Sequence, residues 1–142
     1  MFRRLDDTIL VAPQIGTDSV AAAVAQGVTL IINNRPEGES DDQIPGAEIE
    51  AAARAAGIDY VAIPVTHSGF SEAQVTAMAD ALENAAGPVL AYCRSGTRST
   101  LLWALAQSSL GEHPAVLSEK AASAGYDLAP VGALMDILRA KA

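Results

Sequence analysis

The segment Ala91-Tyr92-Cys93-Arg94-Ser95-Gly96-Thr97-Arg98-Ser99 combines residue types that do nucleophilic chemistry, and Cys93 is the only cysteine in the chain. The thiolate is the reactive form of cysteine. A free thiol ionises with a pKa of about 8.5, and helix N-termini and nearby arginines lower that value. A β-type run, Val89 to Tyr92, ends just before Cys93, and a helix is predicted from about Arg98 to Ser108. The first turn of that helix leaves backbone N–H groups unpaired at the loop, and its dipole adds partial positive charge there. Gly96 allows the loop to curl into a nest of amides for an anion. Arg98 offers a planar fork to two anion oxygens. Arg94, Ser95, Gly96 and Thr97 complete an anion-binding loop, with Arg94 expected to point outward and recruit an anionic substrate. Ser99 is expected to donate to the thiolate sulfur. Cys93 is therefore predicted to be a nucleophile facing a cradle for an oxyanion or a second sulfur. The plainer reading, a small buried hydrophobe, accounts for the cysteine but not for the loop around it.

Such a loop needs a strand and a helix to hold it, and the chain alternates the two. Thr8 to Val11, Val28 to Ile32, Tyr60 to Val65 and Val89 to Tyr92 read as strands. The apolar, β-branched run at 28–32 is the mark of a strand buried on both faces. Between them lie Ala-rich helical stretches. Asp18 to Gln26 follows Thr17 as a candidate N-cap, Pro45 to Ala56 stops at Gly57, and Ser71 to about Asn84 opens with Gln74 at the capping-box position. After the helix through Ser108, two more are predicted: from Pro114 to Gly125, and over about Pro130 to Lys141. The order β-α-β-α-β-α-β-α-α-α predicts an α/β fold with a central, mostly parallel sheet flanked by helices. In such folds chemistry is expected outside the carboxyl ends of the strands, where Cys93 falls.

Composition narrows the function classes. With 142 residues the chain is expected to form one domain over 1–142. Half the residues are apolar, 4% are aromatic and 29 are alanine, which predicts an aliphatic, small-residue core. Lys+Arg 9 against Asp+Glu 17 gives a net charge of −8. That balance lacks the basic footprint of a nucleic-acid binder and disfavours an anionic membrane surface. No apolar run approaches the roughly 20 residues of a membrane helix, and no targeting segment is visible. A soluble, cytoplasmic protein is expected. One cysteine and two histidines, His67 and His113, leave little to hold a metal, and no cofactor is expected. The oligomeric state is left open.

The strand–Cys-Arg-Ser-Gly-Thr-Arg-Ser–helix pattern resembles the signature loop shared, with variations, by cysteine phosphatases and rhodaneses. Three motifs, Ile32-Asn33-Asn34-Arg35-Pro36-Glu37-Gly38-Glu39, Ile63-Pro64-Val65 and Tyr92 to Ser99, together resemble the phosphatase-like domain of the bacterial beta-lactamase-hydrolase-like proteins, also described as sulfur transferases. The resemblance runs over about residues 3 to 130. It implies the dual-specificity phosphatase fold. In some relatives that domain is joined to a metallo-β-lactamase-type domain tied to sulfide or persulfide metabolism.

Two departures from the phosphatase pattern bear on the reaction. Cysteine phosphatases place five residues between nucleophile and arginine, whereas four separate Cys93 from Arg98. The tighter spacing is closer to rhodaneses, whose site handles a persulfide. The loop after the third strand carries the catalytic Asp of a dual-specificity phosphatase, which protonates the leaving oxygen. Here it reads Thr66-His67-Ser68-Gly69-Phe70, with no acid before Glu72. His67 is the one candidate acid in that loop. Transfer of sulfur between thiolates has no alkoxide to protonate and needs no such group. The leading expectation is therefore sulfane-sulfur (persulfide) transfer through Cys93. The alternative is phosphoester hydrolysis through a phosphocysteine, with Arg98 clamping the phosphoryl oxygens. A non-catalytic anion-binding module is the third reading, and it would need no thiolate. The partner is expected to be a small anionic or persulfide substrate, or a phosphoprotein in the phosphatase reading.

The remaining candidates weigh less. Arg35 follows a strand end and sits either at the pocket rim or paired with Glu37 or Glu39. Glu37, Glu39, Asp41 and Asp42 read as a solvated acidic loop. Trp103 is expected in the core, Asp127 is a candidate cap of the last helix, and His113 is given no role.

Overall fold

A computed structural model describes residues 1–142. The strands are β1 (Arg3–Asp6), β2 (Ile9–Ala12), β3 (Leu30–Asn33), β4 (Asp59–Ala62) and β5 (Val89–Tyr92). The helices are α1 (Ser19–Ala25), α2 (Gly46–Ala55), α3 (Glu72–Asn84), α4 (Thr97–Ser109), α5 (Pro114–Ser123) and α6 (Gly132–Ala140), the last preceded by a 3₁₀ turn at Ala129–Val131. The sheet order is β1-β2-β5-β3-β4. β2, β5, β3 and β4 run parallel, and only β1 is antiparallel. The expected α/β fold with a mostly parallel, helix-flanked sheet is what forms.

β5 lies in the middle of the parallel set, and all four of its residues are buried. Its side chains alternate between two cores. Val89 and Ala91 join the face covered by α3 to α6, and Leu90 and Tyr92 join the face covered by α1 and α2. The loop after β5 therefore leaves a strand braced on both sides. α4, which follows it, is buried from Arg98 through Ala106 without interruption. A helix apolar on all sides must be enclosed. The Trp103 side chain sits at the centre of that packing, as expected.

Four local expectations change. β1 is absent from the sequence reading. With two arginines in four residues it carries no β signal, but charged side chains suit an exposed edge strand. Thr17 is not the cap of α1. Asp18 holds that position without a side-chain bond, and the Ser19 hydroxyl instead accepts the Gly16 N–H at 3.1 Å. The strand expected over residues 60–65 ends at Ala62, two residues before Pro64. By contrast, the Ser71/Gln74 capping box is complete, with both reciprocal bonds made. Asp127 does not cap α6, whose N-cap is Val131; its carboxylate instead accepts the Ala129 N–H at 2.9 Å, in the turn before the 3₁₀ segment. His113 caps α5 through its Nδ1, which accepts the Ala115 N–H at 3.0 Å. No helix is long and apolar enough to cross a membrane.

Candidate active site

The loop between β5 and α4 curls as its glycine allows. Gly96 adopts φ +88°, the left-handed region, at the N-cap of α4. Its N–H points back and donates to the Cys93 sulfur at 3.1 Å. The amides of Arg94, Ser95, Arg98 and Ser99 have no acceptor within the protein. The Cys93 side chain is buried at 0% exposure, beneath the loop rather than on its surface. Thr66, His67, Gly69, Phe70, Arg94, Ser95, Thr97, Arg98 and Leu101, from the loop and its surroundings, line a cleft of about 410 Å³ that Cys93 itself does not line. His67 and Arg94 thus stand where the sequence placed them, at the cleft and open to water.

Arg98 is arranged differently from the expectation. Its Nη1 and Nη2 grip both oxygens of Glu39, at 2.7 and 2.8 Å, and Nη1 also donates to the Val65 carbonyl at 2.6 Å. Three of the five guanidinium N–H groups are therefore committed inside the protein. The fork end predicted to hold an anion holds Glu39. The Nε–H and the second Nη2–H, side by side on the other edge, remain for a ligand. The guanidinium is held above its ordinary pKa, first by its hydrogen bonds to Glu39 and further by the neighbouring Cys93 sulfur.

Glu39 is not the solvated acid the sequence predicts, and this is the main correction at the site. Its side chain is 14% exposed and also accepts the Arg35 Nε–H at 2.9 Å. Hydrogen bonds from Arg98, then from Arg35, outweigh the effect of burial and hold the Glu39 carboxyl at about 2. Of the two partners considered for Arg35, the one it takes is Glu39. Arg35 is 5% exposed and not on the pocket rim, with Nη1 on Gln14 and Nη2 on Ser40. It acts as a strut behind Glu39. The His67 Nε2 lies 3.9 Å from Glu39, while His67 itself is 82% exposed.

Ser99 does not face the sulfur as a donor. Its hydroxyl donates to Asn34 Oδ1 at 2.8 Å, and the Asn34 amide donates to the Ile63 carbonyl at 2.9 Å. The Asn34 backbone N–H donates to the Tyr92 carbonyl, and its own carbonyl accepts the Val65 N–H. One buried residue thus ties together the carboxyl ends of β3, β4 and β5 and the start of α4. The Asn33-Asn34-Arg35 run supplied the resemblance, but nothing in it announced this role. Ser95 and Thr97 are exposed and share a hydroxyl bond of 3.1 Å. The arrangement combines a sulfur with a donated N–H, free loop amides and half of a guanidinium, and no carboxylic acid lines the cleft.

Residues 1–110 match the phosphatase-like domain of the beta-lactamase hydrolase-like proteins. The Agrobacterium fabrum beta-lactamase hydrolase-like protein is 36% identical over 105 residues, covering 74% of this chain and 24% of that protein. The chain thus spans about a quarter of the length of the curated relatives it matches. The crystal structure of a candidate phosphatase from Neisseria meningitidis superposes with a TM-score of 0.84 at 30% identity, covering 96% of this chain and 97% of that one. PTPMT1 superposes with a TM-score of 0.72 at 17% identity, covering 99% and 98%, which is a likeness of fold. The backbone is thus that of the cysteine phosphatases, and the chain belongs to the family of phosphatase-like domains found in beta-lactamase hydrolase-like proteins.

Proposed function

We propose that the protein is a thiolate enzyme in which Cys93 accepts a sulfane sulfur, holds it as a persulfide and passes it to a second thiol. In the first step the Cys93 thiolate attacks the outer sulfur of a donor such as thiosulfate. The new S–S bond forms as the old one breaks, and sulfite leaves with the electron pair. In the second step an acceptor thiolate attacks the outer sulfur of the persulfide and releases the Cys93 thiolate. No proton is delivered to a leaving group in either step. The free loop amides and the open edge of Arg98 stabilise the charge on the terminal sulfur.

The observation that carries this reading is the lack of a carboxylic acid in the cleft, where His67 is the one side chain able to give up a proton. No carboxyl lines the cleft. The carboxyl that borders it, Glu39, stays ionised down to about pH 2 with both oxygens on guanidinium groups. A leaving group therefore finds no carboxylic acid to protonate it, a help that sulfite and thiolates do without near neutral pH and alkoxides do not. The second reading, phosphoryl transfer to Cys93, is favoured by the phosphatase fold of the neighbours. Without a carboxylic acid it would favour activated esters unless His67 supplied the proton.

One purified sample decides between them. Given thiosulfate with cyanide or glutathione, it should turn over. After donor alone, mass spectrometry should find an added mass of about 32 Da on Cys93. An unmodified protein that hydrolyses alkyl phosphates efficiently would establish the phosphatase reading instead.

A further inference from the structure

Tyr126 lies outside the residues that match the family, in the turn after α5. In the structure its hydroxyl donates to the Ser95 carbonyl at 3.3 Å. Ser95 C=O and Gly96 N–H belong to one peptide unit, and the N–H end of that unit donates to the Cys93 sulfur at 3.1 Å. The Tyr126 oxygen also rests against the Cα of Gly96, in the space a Cβ would fill. The ring is backed by the Arg3 guanidinium, 5.5 Å from its centroid, and Arg3 is anchored on the Ala124 carbonyl at 2.9 Å.

We infer that Tyr126 is a positioning residue: it fixes the Ser95–Gly96 peptide with its N–H toward the Cys93 sulfur. A glycine at φ +88° is free to turn that peptide over, because Gly96 populates both signs of φ with little penalty. Turned over, the peptide would aim the Ser95 oxygen at the sulfur and repel a thiolate. The Tyr126 hydroxyl holds the oxygen on the far side of the loop and blocks the space above Gly96. Burial pushes the Tyr126 phenol above its usual pKa, so the hydroxyl remains a donor across the neutral range. β1, through Arg3, is thereby connected to the nucleophile.

The inference rests on the proposed role of Cys93 as nucleophile, but not on the substrate. Tyr126→Phe removes the donor and keeps the ring over Arg3, so the fold is retained. In the resting, reduced, ¹⁵N-labelled protein, the Gly96 amide resonance should move and exchange with solvent roughly 10-fold faster. Iodoacetamide labelling of Cys93 at neutral pH should slow by about 10-fold, as expected when a hydrogen bond to a charged group is lost. A Gly96 amide unmoved in Tyr126→Phe overturns the inference, whatever the labelling rate. A moved amide with unchanged labelling overturns it too, because the peptide would then not govern the sulfur. Both readouts are taken without substrate, so failure of the sulfur-transfer assay leaves them intact.

Discussion

Glu39→Gln tests whether the arginine pair behind the nucleophile is held by charge or by shape. Glutamine keeps the size of the side chain and one acceptor oxygen but removes the negative charge between Arg35 and Arg98. The carboxyl is held at about 2 against an ordinary 4.5. That gap corresponds to roughly 3 kcal/mol of preference for the charged form in the folded protein. Water at the cleft mouth screens part of it, so the substitution should cost about 2 kcal/mol near neutral pH. For a chain of this size that lowers the unfolding temperature by roughly 6–8 °C. The pH dependence has a definite sign. The folded-state value lies below the unfolded one, so the contribution is fully present above about pH 4.5 and is lost as the pH falls toward about 2. Urea unfolding of both proteins from about pH 7 to about pH 2.5 should show a stability gap that narrows on acidification, because the unfolded glutamate protonates below about pH 4.5 and the preference of the fold for the charged form is progressively lost toward about pH 2. A gap of the same size at every pH would show that shape rather than charge matters. No gap near neutral pH would refute the electrostatic account altogether.

Cys93→Ser should abolish sulfur transfer and any phosphatase turnover while leaving the urea midpoint close to that of the wild type, since a serine hydroxyl is hardly ionised near neutral pH. His67→Ala should leave the rate of persulfide transfer from thiosulfate unchanged. If instead alkyl phosphate hydrolysis is present and falls by roughly 10²-fold, His67 is the acid of a phosphatase. Asn34→Ala should cost about 3 kcal/mol in urea unfolding, because it leaves the Ile63 carbonyl and the Ser99 hydroxyl buried without their partner. It should also lower turnover, since it frees the end of α4 that carries Arg98.

What the sequence made legible was local. The Ser71/Gln74 box closes over three residues, and the strand–loop–helix around Cys93 spans Val89 to Ser109 with its signals in one window. Gly96 was legible as the residue that lets the loop curl, and the loop does so through a left-handed φ of +88°. What was not legible depends on partners far away in the chain. Glu39 is 59 residues from Arg98, and Asn34 is 65 residues from Ser99. Four acids in a Gly/Pro loop look alike as sequence, and only the fold brings Glu39 against two arginines. The Arg35/Glu39 spacing of four hinted at the nearer half of that pair. Nothing hinted that Arg98 would spend one end of its fork there. β1 escaped notice because an edge strand of Arg3-Arg4-Leu5-Asp6 owes its place to pairing with β2 rather than to its own β tendency.

The charge distribution connects the composition to the substrate. The chain carries a net charge of −8, a field that repels polyanions at long range. At the candidate site the balance reverses: Arg35, Arg94 and Arg98 stand near two acids, the inward Glu39 and the exposed Asp42. Glu39 neutralises the buried pair and leaves one edge of Arg98, with Arg94 at the mouth, as the local attraction for an anion. A cationic spot of that size in an acidic surface matches one small anion that the salt of the medium screens from the wider field. It suits a nucleic acid or an extended acidic phosphoprotein surface poorly, since these would meet the negative surroundings over their whole length. On the proposed reading the donor is therefore a compact sulfur anion. For transfer its outer atom must reach Cys93, buried beneath the loop, while its charged group stays at the loop amides and the open edge of Arg98.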